Sequence, residues 1–343
     1  MRAYRGKIME NVIYCDGNQP GSIDRGLAEA LDEIFTVKCS NASSGKTNFY
    51  RYMSYFLYPI IIFFTRKKYK IIIGWQQFFA LIFVFYCELF KVKKKNFCVA
   101  LNYTYKEKNG LIGFVYECFM KKCLNSRYLD YVHIPSYNYV KYCKEVLGAD
   151  ENKFIVAPFG VQDRYEQFKN SKVNYENYVL SIGRSNRDFK FLIEAWREIN
   201  YPLLIICDTL KIDEKLPSHI KILNNVLSEN QFPYLMNSDF IIIPILDGAI
   251  CSGDTVLLTG MSFCKTMIVT KPSTLQEMYI NDGIDGIAIE KDIIVFREKI
   301  FHLLNNKELL TEIGENARSK YLQKYSIYTM GKAIGEILKQ KGI

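Results

Sequence analysis

The sequence contains few of the side chains that bind metals or build disulfide frameworks. Histidine occurs only at His133, His219 and His302, and the ten cysteines include no Cys-x-x-Cys pair. Zinc sites and disulfide-rich domains use clusters of these residues at short spacings. We therefore expect no metal site, and mostly reduced, buried cysteines as in a cytosolic protein.

Long uninterrupted apolar runs are also scarce. The first residues, MRAYRGKIMENVIYCDG, lack the apolar core of a secretory signal. Segment 71–90 approaches the roughly 20 apolar residues of a membrane span, but glycine, glutamine and glutamate interrupt it. We interpret it as a strand at 70–74 and a buried helix at 77–90.

Apolar residues are nevertheless plentiful enough for two hydrophobic cores. The chain has 343 residues, of which 49% are hydrophobic and 24% charged, and it has no low-complexity tract. This composition excludes a disordered chain, and the length predicts two domains.

Positive charge is concentrated in the first half. Residues 1–135 contain 20 Lys and Arg against 10 Asp and Glu, whereas the remainder contains 25 against 26. This excess of ten predicts an anionic partner for the first half, either a lipid headgroup, a phosphate or a nucleic acid.

Short β-like runs alternate with amphipathic segments along the chain. In the first half we predict strands at 11–16, 35–40, 70–74, 96–103, 129–136 and 154–160, and helices at 23–34, 49–64, 77–90 and 137–147. Beyond a polar stretch at 161–178 we predict strands at 178–183, 202–208, 221–225, 239–246 and 265–270, and helices at 189–199, 229–236, 254–263, 274–280 and 292–304. Two such series predict two doubly wound α/β domains, which bind ligands at the carboxyl ends of strands.

The segment 178–196, YVLSIGRSNRDFKFLIEAW, places a glycine and two arginines between a strand and a helix. Gly183 allows a close backbone approach because it has no side chain. Arg184 and Arg187 lie at a strand end, and guanidinium groups pair well with phosphate oxygens. The helix that begins near Asp188 adds its positive end. The loop predicts an anion site, although two solvated surface arginines would give the same pattern.

A second polar turn, Ser252–Gly253–Asp254–Thr255, lies between the strand at 239–246 and the next helix. Free amides at that helix N-terminus would bind an anion, and Ser252 and Thr255 can donate hydroxyl hydrogen bonds. The same residues would also make an ordinary helix cap.

Five segments have counterparts, in the same order, in one known family. They are SRYLDYVHIPSYNYVKYCKEVLGADENKFIVAPFGVQD, VLSIGRSNRDFKFLIEAW, LSENQFPYLMNSDFIIIPIL, LLTGMSFCKTMIVT and QEMYINDGIDG. They resemble the motifs of GT-B glycosyltransferases, especially the GT4-like group and a divergent polysaccharide-synthesis subgroup. The resemblance covers about 126–325, whereas the first 125 residues match only in strand–helix pattern.

The resemblance implies a GT-B architecture, in which two Rossmann-like doubly wound α/β domains face a central cleft. We expect an acceptor-binding domain at 1–163 and a donor-binding domain at 164–325. A C-terminal helix at 326–343 is expected to pack back towards the first domain.

The resemblance also implies a nucleotide-diphosphate sugar as donor, with no cofactor and no metal. Arg184 and Arg187 match the family's arginine and lysine, which makes them the expected catalytic residues. They would hold the diphosphate and stabilise the departing nucleotide. The base would lie near Asn225 and Val226, and Glu277 matches a later family glutamate or is a helix-surface charge. The remaining expected donor-site residues are Gly183, Ser252, Gly253, Asp254 and Thr255.

The chain departs from the family at two glutamates, which lie eight positions apart near the sugar and the ribose. It has Cys251 and Thr259 there, so ribose recognition is weaker or comes from elsewhere, with Asp254 as a candidate. A retaining enzyme needs no protein base that we can name. An inverting enzyme needs a carboxylate from the first domain, for which Asp16 and Glu107 are candidates.

The first half is expected to bind the acceptor. Gly17 and Asn18 follow the first strand, where an acceptor or phosphate could approach, although an ordinary loop is equally compatible with them. Aromatic and basic residues mix at 49–70 and 91–95, which suits an anionic membrane surface or a buried aromatic core flanked by solvated lysines. No nucleic-acid-binding module is present.

The sequence therefore predicts a cytoplasmic glycosyltransferase, peripheral on the inner face of the cell membrane. It would transfer a sugar to a saccharide acceptor, carried on a lipid, in bacterial-type surface polysaccharide synthesis. The alternatives are a non-catalytic GT-B partner subunit and a GT-B nucleotide-sugar epimerase.

Overall fold

Strands and helices alternate through the computed structural model, which describes residues 11–16, 25–41, 48–250 and 252–343. The strands of the first half are β1 Asn11–Asp16, β2 Thr36–Asn41, β3 Ile71–Gly74, β4 Phe97–Ala100, β5 Tyr131–Ile134 and β6 Phe154–Val156. Those of the second half are β7 Val179–Ile182, β8 Leu203–Ile206, β9 Ile220–Leu223, β10 Phe240–Ile243, β11 Thr266–Lys271 and β12 Ile287–Glu290.

The helices lie between the strands and at the C-terminal end of the described chain. The first five are α1 Arg25–Asp32, α2 Asn48–Thr65, α3 Gln77–Leu89, α4 Gly110–Leu124 and α5 Tyr137–Leu147. The next five are α6 Tyr165–Phe168, α7 Phe189–Trp196, α8 Phe232–Asn237, α9 Asp254–Ser262 and α10 Thr274–Tyr279. The last three are α11 Ile293–Leu304, α12 Lys307–Lys324 and α13 Ile327–Gln340, and short 3₁₀ turns occupy Arg66–Lys68, Glu151–Lys153 and Ser228–Gln231.

The chain forms two units. The first contains the described residues up to Phe159 together with Ile327–Ile343, and the second is Gly160–Ser326. The sequence prediction placed the boundaries at 163/164 and 325/326, and the last helix, α13, belongs to the first unit.

The first unit is a parallel sheet of order β2-β1-β3-β4-β5-β6 between two helical layers. Because successive strand residues point to opposite faces, Ile72 packs under α2 to α5, while Ile71 and Ile73 pack under α1 and α13. Helices α1 and α13 approach closely at Gly331, where a Cβ would lie 2.8 Å from the Cβ of Ala30.

The second unit is a parallel sheet of order β9-β8-β7-β10-β11-β12. This is the Rossmann order 3-2-1-4-5-6. The chain adds β8 and β9 on one side of β7 and then β10 to β12 on the other side, so the strand order reverses between β7 and β10. Helices α7 and α11 pack on one face of the sheet. Helix α9 lies close to the strands at Gly260, where a Cβ would lie 2.2 Å from Met267 Sδ and 3.1 Å from Ile241 Cδ1.

Four elements were absent from the sequence prediction: α4, α6, β12 and α12. In α4, Leu111, Ile112 and Phe114 are exposed, so its apolar residues do not form the one-sided stripe that marks an amphipathic helix. Helix α2, which the sequence predicted at 49–64, continues through Pro59 to Thr65.

Segment 71–90 forms β3 and α3, as predicted, and α3 is buried along most of its length. Of the helices that the structure describes, none is both long enough and apolar enough to cross a membrane.

Candidate functional site

The loop after β7 is shaped by Gly183. Its φ of +144° lies in a region that favours glycine. The loop is tied to the end of β10, since the Asp188 amide donates to Pro244 O (2.8 Å) and the Leu246 amide donates to Asn186 O (3.3 Å). Asp188 then starts α7, because its Oδ1 accepts from the Phe191 amide at 3.1 Å. The loop therefore lies where the sheet order reverses.

Arg187 folds back under this loop. Its Nε donates to Ile182 O at 3.2 Å and its Nη1 donates to Ser185 O at 3.0 Å. A Cβ added at Gly183 would lie 2.7 Å from Nε, and one added at Gly253 would lie 2.9 Å from Nη2. The guanidinium thus lies against two glycines, and a larger residue at either position would displace it.

Gly253 is also the N-cap of α9. Its φ is +110°, and it offers no side chain to the amides of the first helical turn. Asp254 begins the helix, and its Oδ1 accepts from the Thr255 amide at 3.1 Å. The Asp254 carboxylate thus takes up the Thr255 amide, while the partial positive charge of the helix N-terminus still favours an anion at this turn.

Burial perturbs the two charged groups at this turn. Desolvation lowers the pKa of Arg187 to about 10, against the opposing effect of Asp254, so the guanidinium stays protonated at neutral pH. Desolvation also raises the pKa of Asp254, and the Thr255 amide and Arg187 oppose this rise.

Arg184 forms an ion pair of its own. Its Nε lies 2.6 Å from Asp208 Oδ1, and the two side chains are 59% and 26% exposed. Asp208 follows β8, which neighbours β7 in the sheet. Arg184 is therefore a solvent-accessible cation held in place by a carboxylate.

These residues line one cavity of about 300 Å³ within the second unit. Most of the predicted donor-site residues line it: Gly183, Arg184, Arg187, Val226, Ser252, Gly253, Asp254 and Thr255. Asn225 is adjacent to Val226 but is not among the lining residues, and Glu277 is exposed on α10 away from them.

Sequence reasoning missed eight cavity residues, and three of them bear on the ligand chemistry: Asp208, Leu227 and Gln231. Asp208 carried a usable signal, because it ends the predicted strand at 202–208 as Gly183 ends the strand before it. Gln231 carried no such signal, because it lies in a 3₁₀ turn rather than at a strand end. The loop after β9 brings it to the cavity.

The acceptor-side candidates belong to the first unit. Asp16 ends β1, and nothing is described of its side chain, while Gly17 and Asn18 lie outside the described residues. Glu107 lies in the exposed loop before α4, where its Oε1 accepts from the Tyr142 hydroxyl at 3.3 Å.

No metal-binding cluster is found in the part of the chain that the structure describes, where no three His, Cys, Asp or Glu side chains are grouped suitably. Cys251, one of the two positions where the chain departs from the glutamates of the family, lies outside that part. At the other, Thr259, the hydroxyl donates to Thr255 O at 2.7 Å within the helix.

Comparison with known proteins finds similarity to glycosyltransferases. No family model matches the sequence. An uncharacterized glycosyltransferase of Methanocaldococcus jannaschii is 27% identical over 198 residues, which cover 54% of this chain and 54% of that protein. The chain thus spans about half the length of the curated relative that it matches.

Two solved structures match over nearly the whole chain. Sucrose-phosphate synthase from Thermosynechococcus elongatus has a TM-score of 0.70 at 13% identity and covers 97% of this chain and 99% of its own. Anabaena HepE, in complex with UDP and glucose, has a TM-score of 0.66 at 12% identity and covers 96% of this chain and 100% of its own. The predicted α/β fold of GT-B type, with two doubly wound units, is thereby confirmed.

Proposed function

We propose that this chain is a glycosyltransferase that takes its sugar from a nucleoside-diphosphate sugar bound in the cavity of the second unit. One observation carries the proposal: the half-buried guanidinium of Arg187 lies against Gly183 and Gly253, beside the N-terminus of α9, where Gly253 adds no capping side chain. A cation and a helix N-terminus at the point where the strand order of a Rossmann-type sheet reverses form a site suited to a diphosphate.

The chemistry follows from where charge develops. When the glycosidic bond to the donor breaks, negative charge builds up on the leaving diphosphate. Arg184 and Arg187 would stabilise that charge with bidentate hydrogen bonds, and the amides of α9 would add to the effect. Because the position of Arg187 is set by the fold before the ligand arrives, little reorganisation is required during the reaction.

Relatives support a nucleotide sugar as the donor. HepE was solved with UDP and glucose, and another structure of the same protein contains UDP-glucose. The curated relative is named as a glycosyltransferase. We accordingly take a nucleoside diphosphate with an attached sugar as the donor class.

The acceptor is proposed to be a saccharide carried on a lipid, in bacterial-type surface polysaccharide synthesis. Residues 48–95 of the first unit contain nine Lys and Arg and one Glu. Several large apolar side chains of this region are exposed: Tyr52, Phe56, Leu57, Ile61, Phe64, Leu89 and Phe90. Exposed apolar groups flanked by bases suit the anionic inner face of a cell membrane, so we propose a cytoplasmic, peripheral enzyme.

Binding of nucleoside diphosphates tests the donor site. We expect UDP, GDP, CDP or ADP at about 100 times its Kd to raise the melting temperature by roughly 5 °C. Arg187→Ala should abolish the rise, because it removes the half-buried cation that lies against Gly183 and Gly253. Arg197→Ala is the matched control, since Arg197 is also paired with carboxylates but does not line the cavity. No shift with any of the four nucleotides would contradict the proposal.

A non-catalytic partner subunit is the second candidate, because Thr259 replaces a glutamate of the family and its hydroxyl is bonded to the helix backbone. Release of nucleoside diphosphate from the donor sugar by the purified protein separates the two candidates. An enzyme releases it and loses this activity in Arg184→Ala, whereas a partner subunit binds the donor without turnover.

A further inference from the structure

The cavity is assembled at the ends of four neighbouring strands, β10, β7, β8 and β9, which supply three sets of residues with different chemistry. The loop after β7 and the start of α9 supply Arg184 and Arg187 with the free amides, whereas the end of β8 supplies Asp208. The segment after β9 supplies Leu227 and Gln231. Adjacent strands lie about 4.8 Å apart, so the three sets follow one another across the sheet.

This order matches the order of groups in a nucleoside diphosphate. The cationic end suits the two phosphates, and the far end, with an apolar and an amide side chain, suits a base. In such a placement the ribose, whose hydroxyls are hydrogen-bond donors, would lie between the two ends, where Asp208 lines the cavity. We propose that Asp208 recognises the ribose by accepting hydrogen bonds from its hydroxyl groups; this inference rests on the proposed function and deepens it.

The other candidates for this role are engaged elsewhere. Asp254 lies at the phosphate end, where its Oδ1 accepts from the Thr255 amide and its charge faces Arg187. Thr259 is only 8% exposed and does not line the cavity. Asp208 is the remaining carboxylate among the described residues that line the cavity.

The ion pair with Arg184 orients Asp208 without exhausting it. The contact is made through Oδ1, and a carboxylate has about four lone-pair directions on its two oxygens. Since Arg184 is 59% exposed, solvent screens the pair and it adds little to folding stability. A binding role explains better why an exposed pair is placed inside the cavity.

Matched nucleotides with and without a ribose hydroxyl provide the test. Isothermal titration with UDP and 2′-deoxy-UDP, and with the ADP, GDP and CDP pairs, gives the ratio of the two Kd values. We expect the wild-type protein to bind the ribonucleotide about tenfold more tightly, as for the loss of one hydrogen bond to a charged group. In Asp208→Ala the ratio should fall to about one.

The ratio isolates the hydroxyl contact from the ion pair. Loss of the partner of Arg184 weakens binding of both nucleotides equally, because both carry the same phosphates. Asp208→Asn preserves the shape of the site, so a partial reduction of the ratio in that variant excludes a folding defect. Asp213→Asn is the matched control, because Asp213 is exposed in the loop between β8 and β9 and does not line the cavity.

The outcomes separate this inference from the proposed function. If the wild-type protein binds the nucleotides without discriminating between them, or if Asp208→Ala keeps the discrimination, the assignment of Asp208 is overturned and the donor site stands. If the wild-type protein binds none of the nucleotides, the assignment and the donor site fail together.

Discussion

The two units share a parallel α/β architecture but place their charges differently. In the second unit, Arg187 and Asp254 are desolvated at the end of a sheet, where Gly183 and Gly253 leave room for the guanidinium. In the first unit, basic residues remain at the surface beside exposed apolar side chains on α2, α3 and α4. A desolvated charge suits recognition of one small ligand, whereas a wide exposed mixture suits a large anionic surface.

The largest effect that we expect is acid destabilisation of the first unit, caused by protonation of the buried His133. Burial lowers the pKa of this histidine to about 4, and its Nε2 lies 3.0 Å from Ala157 O. Because the folded pKa lies below the ordinary 6.5, stability is complete above about pH 6.5 and falls towards pH 4. The loss amounts to about 3 kcal/mol.

Thermal melts between pH 7 and pH 4.5 measure this loss. His133→Gln should flatten the dependence on pH, although it lowers stability at neutral pH. His302→Gln, an exposed position on α11 of the second unit, is the control and should leave the profile of the wild-type protein unchanged. An unchanged profile in His133→Gln would exclude the buried histidine as the cause.

Gly253→Ala should disable the donor site of the second unit. The new Cβ would lie 2.9 Å from Arg187 Nη2, at a φ of +110°. Displacing one charged contact to a ligand costs about 2 kcal/mol, or near thirtyfold in Kd for a nucleoside diphosphate. Gly283→Ala is the control, since Gly283 has a φ of +77° but open space around its Cβ. Equal nucleotide affinities in the two variants would contradict a role of the Arg187 guanidinium beside Gly253 in binding.

Removal of apolar surface from the first unit should weaken its binding to vesicles. Leu111 and Ile112 are 79% and 80% exposed at the start of α4. Leu111→Gln with Ile112→Gln should cost about 2 kcal/mol of membrane affinity, measured by co-sedimentation with anionic vesicles. Leu322→Gln, at an exposed position on α12 of the second unit, should not change vesicle binding. A comparable loss of binding in that variant would remove the contrast between the units.

Single charge changes on the first unit should have the smallest effect. Lys67→Gln and Lys68→Gln should each weaken binding to anionic vesicles by about 1 kcal/mol, and the effect should fade at high salt. Lys307→Gln in the second unit is the control. Equal binding to neutral and anionic vesicles would contradict an electrostatic contribution.

Much of the site could be predicted because its residues lie at strand ends. Gly183, Arg184 and Arg187 follow an apolar run that forms β7, and Ser252 to Thr255 start a helix after β10. What could not be predicted depends on strand order. Asp208 belongs to the site because β8 lies beside β7, and Gln231 joins it through the loop after β9.

The sequence by itself determined the alternation of strands and helices, since apolar periodicity and glycine positions act locally. It also determined that the positive charge lies in the first half. Only the tertiary structure decided that the guanidinium of Arg187 rests against two glycines seventy positions apart (183 and 253), and that Asp208 pairs with Arg184. Such contacts depend on which strands become neighbours, and the packing of the whole sheet sets that order.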